Sequence, residues 1–574
     1  MISSAIRVRT SALSIVAGLA FWHVQAVAAQ APDPLFDHAG IAVESGNDSA
    51  SSNSERRIPQ LIHGAIYLDT QTPLTLKVIR DDYGFAKEKE YEMDRLPPFN
   101  FEFLQNQDVL IPVSRGPIAG THPMREWILE AGTIQRHPTD VAQYLVTIPF
   151  ALNELNANCI HNGELQFSID DQHTMSPVAI NVSSETCQYF KFDLSGKIKG
   201  TYKPASIPDA NELLAASTDQ RNARLMVKPV SALVDLYPEF DLSAFGGNGR
   251  VPAEDISLYG FIIDDTHYIG ECQTRTKKPL LCEEMVLPSY SLAKSLVAGL
   301  AAMRLEKLYP GSMQKKIVDS VPECNSSGNW ANVSLKQTLN MLSGNYNSNK
   351  PRVDETADAT IENFFLVETH AEKISFSCNA WPRKSEPGEE FVYHTSDTYL
   401  VANAINTLLK EEQGPDADLF DDLVSPLWKL LRLSPVTFQP LRTNDETAQA
   451  VAGFGLNLLP DDIARLATAL NRGTLAEHLD STMLESAMQN RPNPQGHFPA
   501  EGKFYYRHGF WAYDAQKLLG CDQSVPVPFM SGFGGISVVM MPNDSVYYIF
   551  SDGGNYAFTE MIMQSHQIRS MCSH

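Results

Sequence analysis

Pro288-Ser289-Tyr290-Ser291-Leu292-Ala293-Lys294-Ser295-Leu296-Val297-Ala298-Gly299-Leu300 is the stretch on which the reading of this chain turns. Ser291 and Lys294 stand three apart, so on a helix they share one face. A serine in the first turn lies at the positive end of the helix dipole, which favours an oxyanion forming beside it. Residues 296–303 are apolar almost all round, the pattern of a helix buried in a core. A lysine at the mouth of such a helix is desolvated, its pKa falls, and its neutral amine can accept the serine proton. That is a nucleophile-and-base pair of the S-x-x-K kind. The pattern occurs again at Ser312-Met313-Gln314-Lys315, after the turn Tyr309-Pro310-Gly311 and before Lys316, where it reads as a solvated surface pair.

Around this stretch lie 574 residues with 45 Lys+Arg against 68 Asp+Glu, a net charge of -23. Such acidity argues against nucleic acid as a partner and against anionic lipid surfaces. A composition of 43% hydrophobic and 20% charged residues, with 34 Gly and 35 Pro, excludes collagen-like, coiled-coil and wholly disordered chains. The length suggests about two to four domains.

Residues 1–10 hold Arg7 and Arg9 and no acid, residues 11–22 are largely apolar, and Ala26-Val27-Ala28 offers small residues for cleavage. This is the order of a secretory signal peptide over 1–28, too short for the roughly 30 Å of a bilayer core. No later stretch is long and apolar enough to span a membrane, so a periplasmic or secreted protein is expected. The eight cysteines (Cys159, Cys187, Cys272, Cys282, Cys324, Cys378, Cys521, Cys572) all lie beyond the signal. In an oxidising compartment they read as disulfides, with nearest neighbours in sequence as the simplest of about a hundred pairings. None forms a CxxC or a cluster with zinc-ligand spacing, so no metal or other cofactor is expected.

Residues 29–57, including the polar run 46–53, read as a flexible linker. Residues 58–205 read as an all-β accessory domain, with a sandwich as the form considered. In Pro73-Leu74-Thr75-Leu76-Lys77-Val78-Ile79, the residues Leu74, Leu76 and Val78 share one face. Phe190, Phe192 and Leu194 alternate with Lys191 and Asp193 before a Ser195-Gly196 turn, and Asn162-Gly163 reads as a break. From 206 to 574 the pattern is mixed α/β. Helices are expected over 213–226, 292–308, 460–470 and 556–572, and strands over 258–272 and 536–550, the latter folded back at Pro542-Asn543-Asp544.

Further segments resemble a known family. Leu258-Tyr259-Gly260-Phe261-Ile262-Ile263-Asp264-Asp265 looks like a strand preceding the active serine. Trp330-Ala331-Asn332-Val333-Ser334-Leu335, running on to Met341-Leu342-Ser343-Gly344, is similar to a W-x-x-[VI]-[ST]-[LI]…M-x-SG segment. Glu386-Pro387-Gly388-Glu389-Glu390-Phe391-Val392-Tyr393 resembles PG-x-x-F-x-Y. Phe454-Gly455-Leu456-Asn457 with Pro460-Asp461-Asp462-Ile463-Ala464-Arg465, and Ser531-Gly532-Phe533-Gly534-Gly535, complete the series. In this order, over roughly 250–570, the segments resemble the serine β-lactamase-like hydrolases related to class C β-lactamases, which include esterases, D-stereospecific peptidases and nylon-oligomer hydrolases.

The resemblance implies a β-lactamase/transpeptidase-like α/β (α+β) domain over 206–574 that cleaves an ester or amide of small-molecule or peptide-like character. Ser291 would be the acylated nucleophile, Lys294 its base and Tyr393 a proton relay, whose pKa should drop beside a lysine ammonium. Tyr346 would be a wall of the cleft. The oxyanion would meet the N–H of Ser291 and that of Gly532 or Phe533. Two departures stand out. Thr395, which the resemblance places among the substrate-binding residues with Gly532 and Phe533, occupies the amide position of a Y-x-N pattern, as Tyr393-His394-Thr395, and Met530 opens the third motif where relatives carry a cation. Without that cation a substrate carboxylate loses a charged partner; His394 and His508 are the nearby candidates to replace it. The rival readings are a DD-peptidase or β-lactamase, and a non-catalytic binding module of the same fold.

Overall fold

The computed structural model describes residues 58–272, 281–489, 496 and 504–572. The signal-peptide and linker readings of 1–57 lie outside the described residues. Two large sheets organise the remainder.

The first sheet has eleven strands, ten in one continuous hydrogen-bonded path and Arg125–Leu129 branching from Gln143–Glu154, where a sandwich has two separate sheets. Its spine is the antiparallel pair Gln143–Glu154 and Ile160–Asp170, in register from Gln143↔Asp170 to Asn153↔Ile160. Asn162-Gly163 does not break the second of these strands. The ladder to Val178–Thr186 shifts there by one residue, a bulge that bends the strand. Ser195-Gly196 is likewise inside a strand, Phe192–Ile198, paired on both sides. A Cβ on Gly196 would stand 1.6 Å from the Thr75 carbonyl oxygen, so glycine here serves close strand approach and not a turn. The neighbouring edge strand begins at Thr75 and runs to Asp81, leaving Leu74 exposed while Leu76 and Val78 pack against the core. That core is aromatic, with Phe99, Phe103, Trp127, Phe150, Phe190 and Phe192 all buried.

After the strand Gly200–Pro204 and a helix Ala210–Asn222, the chain enters the second sheet at Met226–Pro229. Residues 213–226 are therefore not one helix, and Met226 belongs to a strand. The order across the eight strands is Met226–Pro229, Thr266–Ile269, Ile256–Ile263, Ser545–Ser551, Ile536–Met541, Pro526–Gly532, Phe510–Asp514 and Phe504–Arg507. Residues 258–272 form two of these strands, because Asp264 and Asp265 take left-handed φ values of 48° and 58° and reverse the chain. Alternation then sorts side chains to two faces. Leu258, Ile262, Met530, Val538 and Tyr548 join the core under helices Leu300–Leu308, Thr395–Gln413 and Pro460–Asn471. Phe261, Phe529, Val539, Tyr547 and Ile549 face the opposite way, toward the closing helix Thr559–Ile568.

Four disulfides join Cys159–Cys187, Cys272–Cys282, Cys324–Cys378 and Cys521–Cys572, the nearest-neighbour pairing throughout. The two sheets meet through polar contacts. Thr186 Oγ1 donates to Ser257 Oγ at 2.7 Å, and Lys191 pairs with Asp552 and Asp255. Among the described residues, no helix is long and apolar enough to cross a membrane.

Candidate active site

Leu287–Pro288 pairs with Asn457–Leu458 and delivers the chain to Ser289, whose N–H donates to the Leu456 carbonyl at 2.9 Å. Tyr290 then adopts φ 40°, a left-handed conformation that costs a tyrosine about 1 kcal/mol or more. The helix opens immediately afterwards. The N–H groups of Leu292, Ala293 and Lys294 reach the carbonyls of Ser289, Tyr290 and Ser291 at 3.0, 3.2 and 3.1 Å. The Ser291 N–H therefore lies among the unpaired donors that open a helix. Between Lys294 and Gly299 the helix is of π type, and it becomes α at Leu300–Leu308. Ser295 Oγ, in this widened turn, donates to the Gly509 carbonyl at 2.6 Å. Residues 296–303 are all buried.

Lys294 is 2% exposed, and its Nζ lies 2.9 Å from Ser291 Oγ, 2.8 Å from Thr395 Oγ1 and 3.4 Å from the Gly453 carbonyl oxygen. Three oxygens match the three protons of an ammonium. Once one proton leaves, the lone pair can face the Ser291 hydroxyl. Burial pushes the amine down to about 8, against the opposing pull of the Glu355 carboxylate.

Tyr393 follows Phe391 and Val392 into the site, with its ring 6.0 Å from Trp511 and 6.2 Å from Tyr506, centroid to centroid. Lys294 Nζ stands 4.7 Å from the ring centroid, and the Ser291 hydroxyl is close enough to act on the Tyr393 phenol, working to lower its pKa. The expected drop in its pKa does not occur. Burial among aromatic rings holds the phenol well above its ordinary range, with Tyr506 and Glu355 adding to the effect. The lysine lies over the ring face, and its charge does not offset desolvation of the phenolate.

Thr395 is buried and links two charged groups. Its Oγ1 accepts from Lys294 and donates to Glu355, whose carboxylate also takes the Thr395 N–H at 2.9 Å. It braces the lysine from behind, where the sequence suggested a substrate contact. Glu355 caps the first turn of the helix Thr395–Gln413, an end that favours a carboxylate. Nothing in Val353-Asp354-Glu355-Thr356 announces it, because its partners lie far away in sequence. His394 is buried beside Asp354 at 3.3 Å and Asp397 at 3.7 Å, stacked on Trp381 with centroids 5.0 Å apart. Burial alone would lower its pKa, but the hydrogen bond to Asp354 and the nearby Asp397 carboxylate outweigh it and raise the imidazole to about 9.

Opposite the serine loop, the strand Pro526–Gly532 ends close by. A Cβ on Gly532 would stand 3.0 Å from the Ser289 carbonyl oxygen, and the Phe533 ring lies 5.6 Å from that of Tyr290. The Tyr556 hydroxyl donates to the Gly532 carbonyl at 3.1 Å, and Arg352 stands over the Tyr556 ring at 5.5 Å. Met530 is 1% exposed and faces the main core. His508 is buried, and burial pushes it down to about 3, so it carries no charge. Tyr346 is half-buried, with its N–H donating to the Pro382 carbonyl at 3.1 Å and the Lys384 amine 5.9 Å from its ring centroid. The second S-x-x-K is not assembled as a pair. Ser312 is buried, contrary to a surface reading, but its Oγ donates to the Tyr309 carbonyl at 2.6 Å, while Lys315 is exposed.

No family model and no curated protein matches the chain. The solved structures that match are serine β-lactamase-fold proteins, the group the sequence resembles. One is described as a 6-aminohexanoate-dimer hydrolase from Bacillus anthracis, at 15% identity and TM-score 0.41 over 60% of this chain and 82% of that one. Another is EstCE1, a hydrolase with promiscuous acyltransferase activity, at 14% identity and TM-score 0.42 over 61% of this chain and 99% of its own. A third is a class C β-lactamase in complex with cefoxitin, at 16% identity and TM-score 0.39 over 62% and 99%.

Proposed function

We propose that this chain is a secreted or periplasmic serine hydrolase that cleaves an ester or amide through an acyl-enzyme on Ser291. In this reading residues 58–205 are an accessory domain and 206–574 the β-lactamase-like catalytic domain. The observation that carries it is the 2.9 Å contact between Ser291 Oγ and a buried Lys294 amine lowered to about 8. A purely structural lysine is better served by a charged, solvated head.

The neutral Lys294 amine takes the proton of Ser291 as Oγ bonds to the substrate carbonyl carbon. The resulting oxyanion meets the N–H of Ser291 and that of Phe533. Support for Phe533 comes from Tyr556, which fixes the Gly532 carbonyl. In a trans peptide the Phe533 N–H then points the opposite way. Tyr393, which keeps its proton at neutral pH, donates it to the leaving group as the carbon–heteroatom bond breaks, and Lys294 returns a proton to the phenolate. Water repeats the sequence on the acyl-enzyme, with Lys294 again as base. Thr395 and Glu355 hold that amine in place.

The test is mass spectrometry of the intact protein after exposure to a fluorophosphonate and, separately, to a penicillin. A fluorophosphonate adduct mapped to Ser291 is expected, and its absence would overturn the proposal. A stable penicilloyl adduct would favour the DD-peptidase or β-lactamase reading, to which the Arg352 guanidinium over Tyr556 lends support as a cation near the Gly532 strand.

A further inference from the structure

We propose that Asn158, a residue of the N-terminal sheet, is a positioning residue for the Ser291 nucleophile, holding Tyr290 in the left-handed conformation that presents the serine to Lys294. The inference rests on the reading of Ser291 as nucleophile and adds a part of the machinery that lies outside the catalytic fold.

Asn158 sits in the turn between strands Gln143–Glu154 and Ile160–Asp170, next to Cys159, which the disulfide to Cys187 ties down. Its side chain is 1% exposed and points away from its own sheet, into the serine loop. There Oδ1 accepts the Tyr290 N–H at 2.6 Å, the Gly455 N–H at 3.0 Å and the Ser289 hydroxyl at 3.2 Å. Nδ2 donates to the Leu456 carbonyl at 3.1 Å. Ser289 Oγ closes the circuit by accepting the Leu456 N–H at 3.0 Å. One amide thus joins both strands that flank the nucleophile. Nearby, Asn162 of the same sheet exchanges two bonds with the Val286 peptide, at 2.9 and 3.0 Å.

Such convergence matters because Tyr290 is strained and Ser291 is its neighbour. A tyrosine at φ 40° stays there only when its surroundings over-determine the conformation. The shortest bond of the set falls on the Tyr290 N–H, the peptide immediately before the strained residue. Without Oδ1 that peptide can rotate toward the ordinary region, and Ser291 Oγ swings off the Lys294 amine. Displacement of a nucleophile by about 1 Å is enough to cost about a hundredfold in rate. Substrate contacts made by the strand Pro526–Gly532 and by Phe533 would be untouched, so the loss belongs to the bond-forming step.

The experiment compares Ser291 labelling by a fluorophosphonate in the full-length protein and in Asn158→Ala, resolving the limiting rate from the half-saturating concentration. Thermal unfolding of both proteins runs in parallel. A folded Asn158→Ala with a limiting rate at least tenfold lower and half-saturation unchanged is expected. Asn158→Gln carries the same amide one methylene further out and should be slowed in the same step. Folded Asn158→Ala that labels Ser291 at the wild-type rate would overturn the proposal while leaving the function standing. Failure of both variants to fold would assign Asn158 to the fold alone and overturn it as well. Failure of the wild type to label at Ser291 would instead sink the reading on which the proposal rests.

Discussion

Lys294 Nζ bridges Ser291 Oγ at 2.9 Å and Thr395 Oγ1 at 2.8 Å, so the amine is held between the Ser291 hydroxyl and an inner brace that ends on Glu355. Both neighbours are hydroxyls, and the opposite charge of Glu355 stands one residue further back. That arrangement lets the amine lose its proton near neutral pH while keeping it fixed in direction.

Ser291→Ala is expected to abolish hydrolysis of short-chain p-nitrophenyl esters, while Ser312→Ala leaves kcat/KM within about twofold. The Ser312 hydroxyl is spent on the Tyr309 carbonyl, and its S-x-x-K lysine is exposed. Activity that survives Ser291→Ala and is lost in Ser312→Ala would reverse the assignment.

The rate should rise with pH through an apparent pKa of about 8, because only the neutral Lys294 amine can accept a proton. Glu355 pulls that pKa upward, so Glu355→Gln should move the limb to lower pH while lowering the maximum as the Thr395 brace weakens. A pH–kcat/KM profile on each protein decides the point. A limb that stays in place in Glu355→Gln counts against the role given to the carboxylate.

His394 gains its proton partners only on folding, which raises its pKa from 6.5 to about 9. Its stabilisation is therefore complete below about pH 6.5 and is lost as pH rises through about 9. Buried Lys294 and Lys373 titrate the opposite way, since folding lowers both. Comparing wild type with His394→Gln cancels their contribution. The stability gap between the two proteins, measured by urea unfolding, should be largest near pH 6 and shrink toward pH 9.5. A gap independent of pH would contradict the charged state of His394.

Ellman titration of the exported, denatured, unreduced protein should find essentially no free thiol, since all eight cysteines are paired. The Cys324–Cys378 bridge closes a separation of 54 residues, and its removal by a double Ser variant should cost about 4 kcal/mol in the chain-entropy view. The loss is read from urea midpoints of the two proteins.

Met530 offers no cation to a substrate acid, and its side chain lies in the core, so Met530→Lys would bury an ammonium and destabilise the sheet without opening a carboxylate site. The wild type should accordingly favour p-nitrophenyl esters over nitrocefin in kcat/KM. Efficient nitrocefin turnover that disappears in Arg352→Ala would transfer the recognition to Arg352 and favour the β-lactamase reading.

Much of this was legible from local pattern. The apolar run 296–303 specified a buried helix whatever surrounds it, because burial all round is written into composition at every position. The even cysteine count and spacing gave pairs that short loops close most easily. The hairpin around Pro542-Asn543-Asp544 needed only its turn residues. Local pattern misled where a glycine or an Asp-Asp pair has two uses. Ser195-Gly196 and Asn162-Gly163 became strand interior, and Asp264-Asp265 became a reversal, because strand neighbours decide between a turn and a close approach.

The sequence by itself determined the buried helix, its serine and lysine on one face, and the order of segments that resemble a hydrolase family. Only the tertiary structure decided which oxygens surround the lysine, which way the Tyr393 pKa moves, and that Glu355 and Asn158 belong to the same centre. The physical reason is range. Helical spacing is fixed by neighbours three and four residues away, whereas desolvation and hydrogen bonding depend on whatever the fold brings within a few ångströms. For Asn158 and Tyr290 that partner is 132 residues along the chain.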